Sequence, residues 1–260
     1  LDMTGEVTIN AEDIDDGSTD NCGLANLEID KTEFDCSDLG ANTVMLTAID
    51  DAGNTSTCEA TVTVLDNIDP VLDCPAPVVL SADENCQAAV PDFTGADATN
   101  NCGTASITQS PAAGTLVGAG VTTVTVTATD ASDNTSSCTT TVTVIDEEAP
   151  TFTCPGDQEL SYDSGCTATV PDLTAMITDA SDNCSSTLVI TQSIAEGTEI
   201  TGEVTVTITA TDQAGNSSSC DVLLNASDQT PPEALCKDIT VYLDMTGEVT
   251  INAEDIDDGS

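Results

Sequence analysis

The sequence predicts an all-β fold of tandem immunoglobulin-like β-sandwich domains that form an extended rod. Apolar residues alternate with threonine at every second position, as in Val204, Val206 and Ile208 and again in Val142 and Val144. This alternation is typical of strands with one buried and one exposed face. About seven short strands fall within each stretch of about 80 residues, which is the number expected of an immunoglobulin-like sandwich.

The domain boundaries follow from a segment that occurs three times. A strand, a turn rich in Asp and Asn, a cysteine and a closing strand follow one another at residues 47–66, 127–146 and 209–228. Each copy is followed within a few residues by proline, at Pro70, Pro150 and Pro231, as expected between domains. We therefore expect domains at residues 1–69, 70–149 and 150–230, with residues 231–260 beginning a further one.

An identical repeat indicates a longer array. Leu243–Ser260 has the same sequence as Leu1–Ser18, LDMTGEVTINAEDIDDGS, so the period is 243 − 1 = 242 residues. A period of this length comprises several domains and predicts tandem copies. The first strand of the domain at 1–69 is then expected from a preceding repeat, in residues equivalent to 231–242. We expect the export signal and the anchor outside these residues.

Charge excludes several classes of function. Two basic residues stand against 47 acidic ones, for a net charge of −45, and histidine is absent. Binding to nucleic acid or to anionic membranes is excluded on this ground, and direct membrane insertion is not expected. Because histidine is absent, serine and threonine have no general base to activate them as nucleophiles, and we expect no enzyme. Since 39% of residues are apolar, the acidic chain is expected to fold.

Twelve cysteines predict a disulfide framework in an oxidising, extracellular compartment. The expected strand order places the first loop and the last hairpin turn of a domain at one end, which predicts bonds within each domain. The second strand begins, and the third strand ends, at the opposite end of the domain. A cysteine at either of these places is offered to the next domain. The expected bonds are Cys22–Cys58, Cys102–Cys138 and Cys184–Cys220 within domains, and Cys36–Cys74, Cys86–Cys154 and Cys166–Cys236 between domains. The alternative is Cys74–Cys86 and Cys154–Cys166, which leaves Cys36 and Cys236 unpaired.

Acidic clusters recur where one domain is expected to meet the next. Carboxylate and amide oxygens spaced one or two residues apart on loops provide the hard ligands that Ca²⁺ prefers. We therefore predict structural Ca²⁺ at the domain junctions. The candidate ligands are Asp66, Asp69, Asp97, Asn100, Asp130 and Asp133 at one junction; Asp146, Glu148, Asp179, Asp182 and Asp212 at the next; Asp228, Asp255 and Asp257 at the third; and Asp15, Asp20 and Asp50 in the first domain. The alternative is that these residues form Asx turns, as expected at Asn54, Asn134 and Asn216.

Four spaced motifs give the chain a resemblance to a known family. They are a Cys-Pro pair (Cys74-Pro75, Cys154-Pro155), a later C-x-A-x-V (Cys86–Val90, Cys166–Val170), an Asp-Asn-Cys (20–22 and 182–184, with Asn100 departing from it) and a closing G-N-x-x-x-C. This set resembles the hyalin repeat, or HYR, domain. The resemblance implies an immunoglobulin-like fold in adhesive, extracellular proteins. Long, acidic, threonine-rich arrays of this kind also resemble the giant SprB-type surface adhesins of gliding Bacteroidota.

The expected function is a structural stalk or filament of a giant cell-surface adhesin, which extends a binding tip and transmits force in gliding motility or attachment. Its expected partners are neighbouring repeats of the same chain and the export and anchoring machinery of the cell envelope. One alternative is that the repeats bind glycan, ice or another copy of the array through threonine strips such as Thr123, Thr125 and Thr127. Another is an animal extracellular-matrix protein, which Asn-x-Ser sequons such as Asn54 would suit.

Overall fold

The computed structural model describes residues 1–260 and divides them into two compact units, Leu1–Glu147 and Glu148–Ser260. Almost all regular structure is β-strand, and the predicted all-β fold is confirmed. The helices are short: the 3₁₀ turns Ala11–Asp13, Cys36–Asp38 and Thr174–Met176, and an α-helix at Ala253–Ile256. No helix has both the length and the apolar character needed to cross a membrane.

The first part of the first unit contains five strands. They are β1 (Glu6–Thr8), β2 (Leu24–Ile29), β3 (Glu33–Asp35), β4 (Gly40–Asp50) and β5 (Thr55–Val64). Strand β1 pairs antiparallel with β3, while β2, β4 and β5 form a three-stranded antiparallel sheet in that order. The core between them packs around Phe34, Val44 and Val64.

The second part of the first unit contains eight strands. They are β6 (Val71–Leu72), β7 (Val78–Ser81), β8 (Gln87–Ala89), β9 (Ala98–Thr99), β10 (Ser106–Ser110), β11 (Leu116–Gly118), β12 (Gly120–Thr129) and β13 (Thr135–Ile145). The main sheet has the order β10-β12-β13-β7, and the pairs β8-β11 and β6-β9 complete the fold. Strand β7 runs parallel to β13, whereas the other pairings are antiparallel.

The second unit repeats this topology. Its strands are β14 (Thr151–Thr153), β15 (Gln158–Ser161), β16 (Ala168–Thr169), β17 (Thr178–Ser181), β18 (Val189–Gln192), β19 (Glu199–Ile200), β20 (Gly202–Thr211) and β21 (Ser217–Ser227). The main sheet has the order β15-β21-β20-β18, with β15 parallel to β21, and the short pairs are β14-β17 and β16-β19. The three-stranded sheet β2-β4-β5 thus differs from the two four-stranded sheets in lacking a parallel edge strand.

The period-two pattern places the cores as the sequence predicts. On β12, Val124, Val126 and Ala128 are fully buried, while the intervening threonines Thr125 and Thr127 are half-buried. Each core is small and almost entirely aliphatic, and Phe34 is the one fully buried aromatic side chain. Domains with cores of this size need additional stabilisation from crosslinks or metal ions.

Candidate metal centre and disulfide bonds

The hairpin turn before each closing long strand has the same hydrogen bonds in all three places. Asp130 Oδ1 accepts from the backbone N–H groups of Ser132 at 2.9 Å and Asn134 at 2.8 Å, and Asp130 Oδ2 accepts from Asn134 Nδ2 at 2.8 Å. Equivalent bonds join Asp50 to Asn54 and Asp212 to Asn216. Asx turns are present at these three places, but the aspartates form them, and each asparagine side chain donates to the aspartate four residues earlier.

These turns hold their carboxylates in the ionised form. Burial of Asp130 and of Asp212 opposes ionisation, but hydrogen bonds from Asn134 and Asn216 outweigh it and lower the pKa of each carboxyl below its usual value. The side chain of Asn54 lowers the pKa of Asp50 in the same way. The turns therefore present negative charge at neutral pH.

Hydrogen bonds join one of these turns to the start of the linker before β6. Asn134 Nδ2 also donates to the backbone carbonyl of Asp66 at 3.1 Å, and Asn101 Nδ2 donates to Asp66 Oδ1 at 2.9 Å. The side chain of Asn100 interacts with the Asp130 carboxylate and helps to lower the pKa of that group. We call these five residues, Asp66, Asn100, Asn101, Asp130 and Asn134, the junction cluster.

The junction cluster contains buried oxygens without hydrogen-bond donors. Asp66 is only 6% exposed, and its Oδ2 has no hydrogen-bond partner. The same is true of the side-chain oxygens of Asn100 and Asn101. Buried carboxylates are normally paired with a cation, because leaving one unpaired costs several kcal/mol. Carboxylate and amide oxygens are also the ligand types that suit Ca²⁺, so the cluster fits a bound divalent cation.

The structure brings together three of the six ligands predicted for this junction: Asp66, Asn100 and Asp130. The other three, Asp69, Asp97 and Asp133, are exposed, and no side-chain hydrogen bond connects them to the junction cluster. Their role as ligands stays a prediction.

Two members of the cluster, Asn101 and Asn134, were not among the predicted ligands. Asn134 was expected only as a turn residue, but its side chain donates both to Asp130 within the turn and to the backbone carbonyl of Asp66 in the linker. The signal for Asn101 was the Asn-Asn-Cys at 100–102, where the other domains have Asp-Asn-Cys. Each asparagine stands at a fixed distance before a cysteine that recurs in every domain, Asn101 before Cys102 and Asn134 before Cys138. That recurrence could have pointed to both asparagines.

The second unit contains the equivalent turn and loop. Asp212 is buried, and Asn216 Nδ2 donates to its Oδ2 at 2.9 Å. Asp182 Oδ1 accepts from the backbone of Cys184 and Ser185, while its Oδ2 is buried without a partner. Of the other predicted ligands, Asp179 and Glu148 are exposed, and Asp146 is half-buried at the end of the first unit.

The remaining predicted ligands form local turns. Asp228 accepts from Thr230 N, Asp255 from Asn252 N, and Asp257 from Ser260 N, and no hydrogen bond joins Asp228 to the other two. In the first domain Asp15 binds the backbone and hydroxyl of Ser18, and Asp20 accepts from Cys22 N. These are all short-range bonds: Asp228 and Asp20 form Asx turns, and Asp255 caps the short helix that follows Asn252.

Three disulfide bonds define the cysteine framework: Cys36–Cys102, Cys74–Cys138 and Cys154–Cys220. Cys86 and Cys184 are disulfide-bonded as well, and Cys22, Cys58, Cys166 and Cys236 are free and exposed. Cys36 follows β3, and its partner Cys102 lies in the loop before β10.

The predicted partners were wrong. Cys36 does not bond to Cys74, nor Cys102 to Cys138, and Cys22–Cys58, Cys86–Cys154, Cys166–Cys236 and Cys184–Cys220 are likewise not formed. The alternative pairs Cys74–Cys86 and Cys154–Cys166 are also absent. The reason is the parallel pairing of β7 with β13. Val78 lies opposite Val142, and Cys74 and Cys138 each stand four residues earlier, so the parallel register brings them together and leaves Cys102 to the preceding domain.

The comparisons with known proteins agree with this architecture. The HYR domain profile matches residues 65–144 and 145–225. Hyalin from Strongylocentrotus purpuratus is 31% identical over 252 residues, which cover 91% of this chain and 21% of that protein. Hyalin from Lytechinus variegatus is 30% identical over 239 residues, which cover 84% of this chain and 43% of that protein. The chain thus spans less than half the length of these relatives.

Cadherin structures match the chain at low identity and low TM-score. The protocadherin structure PcdhgB3 EC1-4 is 17% identical with a TM-score of 0.35, and covers 82% of this chain and 66% of its own. Drosophila N-cadherin EC1-4 is 16% identical with a TM-score of 0.34, and covers 73% and 58% respectively. Likeness at this level has no bearing on function. The two profile matches together cover more than half of the residues, and the chain therefore belongs to the HYR domain family.

Proposed function

We propose that this chain is a repeat from an extracellular cell-adhesion protein and that Ca²⁺ fixes the junction between its neighbouring domains. The observation that carries the proposal is the buried, donor-free set of oxygens in the junction cluster, on Asp66, Asn100 and Asn101. Asp66 stands just after β5, whereas the two asparagines and Asp130 belong to the next domain. A cation bound by these residues would hold the linker of one domain against two loops of the following one.

The charge balance of the chain favours a cation from solution over a protein cation. The sequence has two basic residues, and one of them, Lys31, pairs with Asp38. Without a bound ion, the carboxylates of Asp66 and Asp130 repel each other and pay the cost of burial. With a divalent ion, the repulsion becomes attraction through the metal, and the junction becomes stiffer.

The match to Hyalin and the disulfide framework support an extracellular adhesive setting. The Hyalin relatives also support the animal-type extracellular-matrix interpretation. The stalk of a SprB-type gliding adhesin is supported by the length of the identical repeat and by the excess of acid. In both settings the repeat would act as a spacer that carries load between an anchor and a binding site.

Calcium titration tests the proposal directly. We expect the chain to bind Ca²⁺ with a dissociation constant on the order of 10⁻⁴ to 10⁻³ M, as extracellular modules do. Saturation at about 100 times that constant would raise the free energy of unfolding by about 2.7 kcal/mol. Asp66→Ala is expected to remove one ion per chain from the binding stoichiometry measured by calorimetry.

Glu59→Ala is the matched control, since Glu59 is an exposed carboxylate on β5 outside the junction cluster. It removes the same charge and is expected to leave the stoichiometry unchanged. Equal loss of binding in the two variants would mean that calcium responds only to net charge, and the specific site would be rejected. Absence of calcium binding at millimolar concentration would reject it too.

A further inference from the structure

The four free cysteines occupy positions whose counterparts elsewhere in the chain are bonded. Cys58 lies on β5 as Cys138 lies on β13, and Cys236 precedes an apolar segment as Cys74 precedes β7. Cys74 and Cys138 form a disulfide with their Cα atoms 6.0 Å apart. In the second unit, Cys154 and Cys220 on the equivalent elements do the same.

The sheet that contains Cys58 lacks the strand that carries its expected partner. Strands β7 and β15 lie parallel to β13 and β21, but β5 has no parallel neighbour. The backbone bond that follows such a strand is nevertheless present. Leu1 N donates to Leu65 O at 2.8 Å, as Ala82 N donates to Ile145 O at 2.8 Å just after β7.

The missing strand has a candidate sequence within the chain. Leu243 begins the second copy of the Leu1–Ser18 sequence, so residues 239–242 stand directly before the equivalent of Leu1. These residues, Ile-Thr-Val-Tyr, begin with the apolar-polar-apolar alternation of a half-buried strand, and one residue fewer separates them from Cys236 than separates β7 from Cys74. They form no strand, and Tyr242 is 86% exposed.

The segment around Cys236 is paired as the start of a domain would be. Cys236 forms an antiparallel bridge with Asp257, and Lys237 N donates to Ile256 O at 3.0 Å. Strand β6 pairs with β9, and β14 with β17, at the same stage of their domains. Residues 231–260 thus contain the opening of a further domain.

Cys166 belongs to the other pair of free cysteines, Cys22 and Cys166. It lies in a turn that occurs before β1, β8 and β16. Gly5, Cys86 and Cys166 each have positive φ, at 78°, 58° and 60°, and each donates its N–H to the aspartate three residues earlier. A Cβ on Gly5 would lie 2.7 Å from Cys36 Sγ. Cys36 thus places its sulfur where a cysteine at position 5 would, and it bonds to Cys102 in the first loop of the following domain.

A cysteine at position 5 would therefore face Cys102, the first-loop cysteine of the following domain. The domain after residue 230 begins with the sequence of Leu1–Ser18. In a further copy, the first-loop cysteine would be the counterpart of Cys22, which follows Asp20 and Asn21 as Cys184 follows Asp182 and Asn183.

We propose that consecutive copies of the repeat are joined by two disulfides, Cys166 to Cys22 and Cys236 to Cys58 of the next copy. Residues 239–242 of the first copy then form the fourth strand of the next sheet, parallel to β5. Each bond forms when two thiols give up two protons and two electrons to a disulfide-donor protein, whose own disulfide is reduced to a dithiol. The proposal rests on the tandem array of the proposed function but not on bound calcium.

Thiol counting tests the proposal. We compare the chain of residues 1–260 with a longer chain in which residues 1–242 are followed directly by residues 1–260. Both are oxidised, denatured without reductant and titrated with a thiol reagent. One copy is expected to show four reactive thiols, and two copies are also expected to show four, since the internal four pair with each other.

Other outcomes overturn the proposal. Eight thiols in the longer chain would mean that the free cysteines remain free, and none would mean that they pair within a copy as Cys22–Cys58 and Cys166–Cys236. Cys166→Ser in the first copy is expected to raise the count from four to five. Disulfide mapping by peptide mass spectrometry should find Cys166 linked to Cys22, with Cys36–Cys102 and Cys74–Cys138 as internal controls.

The two proposals fail separately. A chain that binds no calcium but keeps four thiols in the two-copy form would retain the covalent linkage and lose the metal site. A chain that binds calcium and shows eight thiols in the two-copy form would retain the metal site and lose the covalent linkage.

Discussion

Leu1–Ser18 and Leu243–Ser260 have identical sequences but different structures. In the first segment, Glu6–Thr8 forms β1 against β3, and Ala11 is 7% exposed. In the second, residues 248–250 form no strand, and Ala253 is exposed. Leu1 packs against the core around Phe34, whereas Leu243 is 65% exposed.

The features that the two segments share are those with short-range hydrogen bonds. Asp2 N donates to Glu6 O at 3.0 Å, and Asp244 N donates to Glu248 O at 2.9 Å. The helical turn that follows has the same bond at its start, Asn10 N to Asp13 Oδ2 and Asn252 N to Asp255 Oδ2. The eighteen residues therefore encode their turns and caps locally, while strand and burial require residues further along the domain.

The largest expected effect comes from removing Phe34, because the first segment packs around this side chain and the second segment has no such partner. Phe34→Ala should lower the free energy of unfolding of the first domain by about 3 to 5 kcal/mol, because Phe34 is fully buried and its loss leaves a cavity. Because the two segments are identical, each is followed through a peptide that extends into unique sequence. The hydrogen-exchange rates of the two segments should become alike in this variant. Val121→Ala, at a site 68% exposed, should change stability by under about 0.5 kcal/mol.

A matched pair of substitutions sharpens the comparison at one position. Ala11→Asp places a charge at a buried site and should cost about 2 kcal/mol or more in urea unfolding. Ala253→Asp, the same change in the same local sequence, should leave stability unchanged because Ala253 is exposed. Similar costs in the two variants would mean that the second segment is packed in solution.

The helix cap offers a smaller contrast. Asp13→Ala removes the side chain that accepts from Asn10 N and should lower domain stability by about 1 kcal/mol. Asp255→Ala removes the equivalent bond, but no packed domain depends on that turn. Thermal unfolding of the two variants should therefore show a lower transition temperature for Asp13→Ala alone.

The smallest effect concerns pH and should be the same in both segments. Hydrogen bonds from the side chain of Thr4 lower the pKa of Asp2, and those of Thr246 lower the pKa of Asp244. A lowered pKa stabilises the turn above the usual value of 3.8, and this stabilisation is lost as pH falls through the lowered pKa. Carboxyl NMR titration should find both groups below 3.8. A normal value at Asp244 alone would show that its turn depends on the folded domain.

The sequence predicted what depends on local pattern. Alternating Val and Thr on β12 and β20 gave the strands and their buried faces, and the Asp…Asn spacing gave the three hairpin turns. At the candidate metal centre, Asp66, Asn100 and Asp130 were predicted because they recur at fixed places in each domain. Asn101 was missed because its place in the cluster depends on a hydrogen bond to Asp66, which is distant in the sequence.

The disulfide partners could not be derived from the sequence because three cysteines lie near the same end of a domain. Cys74, Cys102 and Cys138 all lie there, and only the parallel register of β7 with β13 decides that Cys74 takes Cys138. Parallel pairing between strands far apart in sequence leaves no local signal. Once that register is known, the bond of Cys36 to Cys102 follows.

The Cys36–Cys102 bond also affects how much chain a pulling force can release. The bond joins residues 66 positions apart, so tension passes directly between the two sulfurs and bypasses the residues between them. At about 3.5 Å per extended residue, roughly 230 Å of contour length stays hidden while the bond is intact. Reduction of Cys36–Cys102 and Cys74–Cys138 together would make that length available, because the second bond alone still bypasses residues 75–137. The extensibility of the chain would then depend on the redox state of its surroundings.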